Sequence, residues 1–136
     1  MLHPQKTLNL SGRLLTLDRP LVMGILNVTP DSFFDGGRYD QIEDALKQTD
    51  RMISEGADMI DIGGMSSRPG ARVISSDEEL TRVLPIIKAI RAVHPQIALS
   101  IDTVYAATAK ATVEAGADLI NDISAGTIDE GMYQMV

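Results

Sequence analysis

The 136-residue sequence has no cysteine and no tryptophan, and its aromatic side chains are two Phe and three Tyr. Without cysteine there is no disulfide, no thiolate nucleophile and no cysteine-bound metal, which suits a reducing cytoplasm. With so few rings the core has to be aliphatic, and 44% hydrophobic content is enough to build one in a chain of single-domain length. Positive charge is also scarce. Twelve Lys and Arg against nineteen Asp and Glu leave a net charge of -7, which argues against a nucleic-acid backbone or an anionic membrane as partner. A small anionic ligand is still admissible, because one arginine or a metal ion overrides the global sign locally. No apolar run approaches the roughly 18 residues of a transmembrane helix. Met1 to Leu17 alternates polar and apolar residues and lacks a secretory core, so a soluble, cytoplasmic protein is expected. His3 and His94 lie far from the motifs below and make no metal site, and the seven methionines read as core filler.

What the chain does have is a stretch from Val22 to Arg38 that begins as an apolar strand and turns at Asn27 into a polar loop. Asn27, Thr29, Asp31, Ser32 and Asp35 crowd oxygens together there, beside Phe33 and Phe34, while Gly36 and Gly37 allow close backbone approach. A strand whose carboxyl end opens into such a loop is where α/β enzymes place their chemistry.

Around it the pattern repeats. Thr7–Leu10 and Leu14–Leu17 flank Ser11-Gly12-Arg13 as a hairpin. Leu21 to Leu26 is apolar enough for a strand buried on both faces. Asp40 and Glu43 form a capping box for a helix whose stripe of Ile42, Ala45, Leu46, Thr49, Met52 and Ile53 stops at Gly56. A strand from Asp58 to Ile62 ends in the loop Gly63-Gly64-Met65-Ser66-Ser67-Arg68-Pro69-Gly70. Ser76 and Glu79 form a second capping box, before a helix that buries Leu80, Val83, Leu84, Ile87 and Ile90 and carries a kinking Pro85. Ile97 to Ile101 is the third strand, ending at Asp102-Thr103, where the pair could simply cap a helix from about Val104 to Ala115. Leu119-Ile120 opens the fourth strand, ending at Asn121-Asp122, and Asp129 to Val136 resembles the start of a fourth helix. Gly-Ala-Asp occurs at residues 56–58 and again at 116–118, each time between a helix stop and a strand.

Strand and helix alternating four times implies parallel strands with right-handed crossovers. Polar residues end all four strands, at Asn27, Asp61, Asp102 and Asn121, which favours a barrel over an open flavodoxin-like sheet with a single switch point. A full (β/α)8 TIM barrel takes about 250 residues. The expectation is therefore a half barrel: the amino-terminal part, residues 1–136, of a single barrel domain, with a β-hairpin over residues 1–18 and about four βα units.

Leu26-Asn27-Val28-Thr29-Pro30-Asp31-Ser32-Phe33-Phe34-Asp35-Gly36-Gly37 resembles the first signature of dihydropteroate synthase, the folate-pathway enzyme that sulfonamides inhibit. Gly56 through Pro69 resembles its second, and Ser100-Ile101-Asp102-Thr103 and Ile120-Asn121-Asp122-Ile123 match further blocks in order. The resemblance implies a pterin-binding transferase that joins 4-aminobenzoate to 6-hydroxymethyl-7,8-dihydropterin diphosphate and releases diphosphate with the help of Mg²⁺. It implies that Asn27 binds the metal and diphosphate, and that Asp31, Phe33 and Asp35 belong to a mobile first loop together with Thr29. Within that loop Phe33 would line the aminobenzoate pocket, and Asp35 would lie near the developing cation. Ser67 and Pro69 would flank the aminobenzoate, Arg68 would face anionic groups, and Asp102 and Asn121 would hold the pterin. Asp61 is expected to support the site from behind.

Met65 stands where the family usually has Glu, and Ser67 where it usually has Thr. The family's later Asp, the Lys of its Ser-Arg-Lys block and a late Arg and His are not among these residues. The chain alone is therefore expected to be inactive, and the full-length family to be homodimeric. Two alternatives remain: a corrinoid-type pterin methyltransferase, and a non-catalytic half barrel that acts by binding or self-association.

Overall fold

The computed structural model of the chain describes residues 6–29, 38–66 and 69–135. The first two strands, β1 (Thr7–Leu10) and β2 (Arg13–Thr16), form an antiparallel hairpin. Its turn places Gly12 at φ +89°, and Asn9 Oδ1 accepts from the Gly12 N–H at 2.8 Å. There follow β3 (Met23–Asn27), α1 (Arg38–Ser54), β4 (Met59–Gly63), α2 (Ser76–Val93), β5 (Ala98–Asp102), α3 (Ala106–Glu114), β6 (Leu119–Asn121) and a 3₁₀ helix, Glu130–Gln134. The strands β3 to β6 form one parallel sheet in sequence order. No helix among the described residues is long and apolar enough to cross a membrane.

The two faces of this sheet are occupied differently. Leu26, Ile60, Ile62, Leu99 and Ile101 point to the helices and form the main core with Ala45 of α1 and Val83, Ile86, Ile87 and Ile90 of α2. Each fully buried Ile or Leu contributes about 1.5–3 kcal/mol, and these branched aliphatics are what an aromatic-poor chain has available. On the other face, at the foot of the sheet, Met59 and Ala98 pack against Leu10, with Leu8, Leu15 and Leu21 beside them. The hairpin is therefore a lid on the amino-terminal end of the sheet's inner face, and the carboxyl end stays open.

The repeated Gly-Ala-Asp has a common structural use. Asp58 N–H donates to Val22 O at 2.8 Å, and the Asp58 carboxylate accepts from Val22 N–H at 2.8 Å. Asp118 N–H donates to Leu99 O at 2.7 Å, and its carboxylate accepts from Leu99 N–H at 2.9 Å. Each aspartate thus closes a two-way link to the start of the neighbouring strand. Arginines hold the carboxylates in turn: Arg19 on Asp58, and Arg13 and Arg91 on Asp118.

Several local expectations shift. The first core strand is not buried on both faces: Ile25 is 55% exposed, because β3 is a sheet edge whose inner face is uncovered. The helix α1 begins at Arg38, so Asp40 lies in its first turn instead of capping it. The cap of α2 is Ser75, whose hydroxyl accepts from Glu78 N–H at 3.2 Å. Glu79 and Ile86 are buried on α2, whereas Leu80 and Leu84 are only half-buried. That helix runs on through Pro85. Asp102 does not cap α3, which starts at Ala106. Its first N–H groups are taken by Thr103 Oγ1, from Tyr105 N–H at 3.1 Å, and by Asp129, from Ala106 N–H at 2.8 Å. The last described turns are 3₁₀, not α.

Candidate functional site

Parallel register aligns the strand ends. Asn27 pairs with Gly63, Gly63 with Asp102, and Asp102 with Asn121, so these four residues form one row across the open end of the sheet. Two residues below, Ile25, Asp61, Ser100 and Leu119 form the next row on the same face. Gly63 is the gap in the upper row. A Cβ added there would stand 3.5 Å from Asp102 Oδ2 and 3.8 Å from Asn27 Oδ1, so both side chains lean over the space it leaves open.

The polar groups of this face are matched to different tasks. Asp61 is 2% exposed, and its Oδ2 accepts from Asn121 Nδ2 at 3.1 Å, while its Oδ1 is buried without a partner among the described residues. That bond uses the amide's donor side and leaves the Asn121 carbonyl oxygen as an acceptor. Asp102 is half-buried and, among the described residues, makes no side-chain hydrogen bond. Burial pushes its carboxyl above the ordinary range, and Asp61, Glu79 and Asp122 add to the shift. A carboxylate excluded from capping and surrounded by like charge is poised for a ligand that brings donors or positive charge.

Loops wall the open end. A groove of about 270 Å³ lies beside Asp102, lined by Met65, Val73, Ile123 and Ile128 among others. Ile123 is 81% exposed on a tightly held loop. Asp122 Oδ1 accepts from Ser124 N–H at 2.8 Å and from its hydroxyl at 2.7 Å, and Oδ2 accepts from Gly126 N–H at 2.7 Å. Burial works to raise the Asp122 carboxyl, but these hydrogen bonds prevail and hold it below the ordinary range. The loop after β4 is anchored at both ends. Arg82 donates to Gly64 O at 2.8 Å, Glu78 pairs with both Arg72 and Arg82, and Tyr105 OH donates to Ile74 O at 2.7 Å. Glu78 and Arg82, two of these anchors, both belong to α2.

Of the residues singled out from sequence, Asn27, Asp102 and Asn121 come together in one row. Thr29 follows Val28, whose N–H donates to Gly63 O at 2.8 Å, one residue beyond the β3–β4 ladder. Pro69 is exposed on the loop after β4. Asp31, Phe33, Asp35, Ser67 and Arg68 lie outside the described residues. The sequence reading did not single out Ile123, nor Glu79 as a buried group. Glu79 was detectable, because it occupies a position on the apolar stripe of α2 four residues before Val83. Among the described residues no three His, Asp or Glu side chains are grouped to hold a metal.

Comparison with known proteins follows the same outline. The family described as pterin binding enzyme matches residues 23–136. A curated dihydropteroate synthase of Streptococcus pyogenes serotype M18 is 48% identical over 124 residues, covering 91% of this chain and 46% of the relative. The solved Xanthomonas albilineans dihydropteroate synthase with 4-aminobenzoic acid superposes with a TM-score of 0.84 at 48% identity, over 92% of this chain and 46% of that one. The Burkholderia cenocepacia dihydropteroate synthase complexed with 7,8-dihydropteroate gives a TM-score of 0.79 at 46% identity, over 97% and 42%. The chain thus spans about half the length of the relatives it matches, and its four-stranded parallel sheet with helices is part of an α/β barrel.

Proposed function

The chain belongs to the pterin-binding enzyme family, and from that premise we propose that it carries the amino-terminal half of a dihydropteroate synthase site, in the cytoplasm. In the reaction the pterin's CH₂–O bond to diphosphate breaks, the amine of 4-aminobenzoate forms the new C–N bond, and the amine loses a proton. The CH₂ is attached to an electron-rich ring, so departure of diphosphate can lead and leave a cation-like carbon. The observation that carries the reading is the aligned row Asn27–Gly63–Asp102–Asn121, with Asp102 free of capping and the Asn121 amide already oriented by Asp61.

Asp102 and the Asn121 carbonyl oxygen present two acceptors, which suits the N–H groups of a pterin edge. The acids that raise Asp102 also place negative charge where positive charge develops, and such preorganised charge favours the transition state. Ile123, held out by the Asp122 cage, offers an apolar surface beside Asp102 for a flat ring. Gly63 leaves room for the substrate between Asn27 and Asp102. Thr29, Asp31, Phe33 and Asp35 belong to the first loop, with Phe33 against the aminobenzoate and Asp35 near the reacting carbon. Ser67 and Pro69 flank the aminobenzoate, and Arg68 meets anionic groups. This is also the pocket that sulfonamides would enter.

Asn27 supplies one neutral oxygen at the rim of the row. That is a poor start for a cage made of protein alone, and it fits Mg²⁺, which keeps waters and takes substrate phosphate oxygens. When bound, the ion would neutralise charge on the departing diphosphate.

The test is reconstitution. The 136-residue chain with both substrates and Mg²⁺ is expected to release no diphosphate, and co-expression with a carboxyl-terminal half of a relative should restore aminobenzoate-dependent release. No release from the reconstituted pair, once both halves are shown to co-purify, would sink the reading.

A further inference from the structure

Glu79 is an acid on the buried stripe of α2, whose other members are aliphatic. It shares the inner stripe of α2 with Val83, Ile86 and Ile90 and has no exposed surface. The root of the loop after β4 rests on it: a Cβ at Gly64 would lie 3.0 Å from Glu79 Cγ and 3.4 Å from the Glu79 carbonyl oxygen. At the far end of the side chain, Thr103 Oγ1 donates to Glu79 Oε2 at 2.6 Å. Thr103 directly follows Asp102, and its N–H donates to Asn121 O at 3.1 Å. Among the described residues Glu79 Oε1 is buried with no hydrogen bond of normal geometry, although the Thr108 hydroxyl still draws on the carboxylate. Arg82, the cation on the same helix face, is engaged with Glu78 and Gly64 O. An unsatisfied buried polar atom is destabilising, and an apolar residue of this volume would pack the layer better. The acid is a poor choice for packing, but it can join two polar segments that an apolar side chain could not.

We propose that Glu79 is a positioning residue for the transfer site, tying the root of the loop after β4, at Gly64, to the strand end that carries Asp102. The inference deepens the dihydropteroate synthase reading and rests on it. Under this arrangement the aminobenzoate loop and the pterin-holding aspartate share one support, so a displacement at either is felt at the other. Burial pushes the Glu79 carboxyl up, against the opposing pull of the Thr103 and Thr108 hydroxyls and of Arg82. Facing it are Asp102 from β5 and, on its own helix, Arg82 with Glu78. Ionising Glu79 places a charge between Gly64 and Thr103, and both must respond.

Amide NMR of the 136-residue chain reads this directly. The Gly64 and Thr103 resonances should move together in one titration, with a midpoint above the ordinary carboxylate range. That shared movement should persist in Asp102→Asn and vanish in Glu79→Gln, whose uncharged side chain should hold both resonances near their low-pH positions throughout. Glu79→Leu, similar in volume but without an acceptor, should displace both. If Glu79→Leu does not fold, Thr103→Val takes its place, since it removes the donor and should move Gly64 from across the link. Independent titration of the two resonances overturns the proposal. So does a Glu79→Leu or Thr103→Val variant that leaves Gly64 where it is in the wild type. None of these arms reads turnover, so failure of the transferase reading, seen as no diphosphate release on reconstitution, is recorded separately.

Discussion

A methyl group added at Gly63 would stand 3.5 Å from Asp102 Cβ and 3.8 Å from Asn27 Oδ1, which are ordinary contact distances. Gly63→Ala should therefore leave the urea midpoint nearly unchanged, within about 1 kcal/mol, while filling the space where a ligand would sit. Pterin affinity of the reconstituted protein is expected to fall about tenfold or more, a loss of about 1.4 kcal/mol, measurable by calorimetry. The next residue behaves oppositely. A Cβ at Gly64 would meet Val83 Cγ1 at 2.8 Å, so Gly64→Ala should cost about 1–3 kcal/mol of stability by overpacking. Titration separates the acids as well. Asp102 holds its proton more tightly folded than unfolded, because of burial and then Asp61, Glu79 and Asp122. The stability from that proton is complete below the unfolded value and is lost as pH rises through the folded one. Asp102→Asn should therefore raise the urea midpoint at pH 7, with the gain shrinking towards the ordinary carboxylate range. Asp122 has the reverse sign, being held low by Ser124 and Gly126. Asp122→Asn should destabilise at neutral pH, and its cost should fade as acid protonates the wild type. Asn27, Asp102 and Asn121 were legible as polar residues ending apolar strands. That Asn121 is oriented by Asp61, 60 residues away, depends on strand register, which no local pattern contains.

The elements themselves were legible to within a few residues, because helix and strand periods are written into the aliphatic spacing. The misplacements have physical causes. Ser75 and Ser76 are equally good caps by type, and Ser75 is the one whose hydroxyl takes the Glu78 N–H. The cap of α3 comes in part from Asp129, which no nearby residue signals. The apolar run at β3 suggested two-sided burial, but a run reports what a strand is able to bury and not what covers it. The Gly-Ala-Asp echo proved to be a paired device, with unequal consequences. Asp118 is 4% exposed at its side chain, joined to Arg91 and Arg13, and also holds Leu99 N–H. Asp118→Ala should cost about 3 kcal/mol, because it strands a partly buried arginine and an amide. Asp58→Ala, more open to water, should shift the midpoint less. Equal losses in parallel urea titrations would show that burial does not distinguish the two links.

At the scale of the molecule, β3 and β6 each pair on one side only among the described residues, and the inner face at Met23 and Ile25 is exposed. Unpaired edges invite strand addition, so sedimentation of the 136-residue chain should show association that grows with concentration. Co-expression with a carboxyl-terminal half should suppress it by covering those edges. The parallel sheet was legible from four strand–helix alternations and its barrel character from the polar residues that end all four strands, whereas the hairpin's role as cover for the inner face was not, since it depends on contacts with Met59 and Ala98 made across the chain. The links at Val22 and Leu99 bear on how such a sheet can move. Both lie at the feet of strands, on the hairpin-covered end, while the functional row is at the free tips. Each strand behaves as a cantilever clamped at its base. Small deflections there are suppressed, and whatever compliance the sheet has is delivered to the tips, where the row from Asn27 to Asn121 stands.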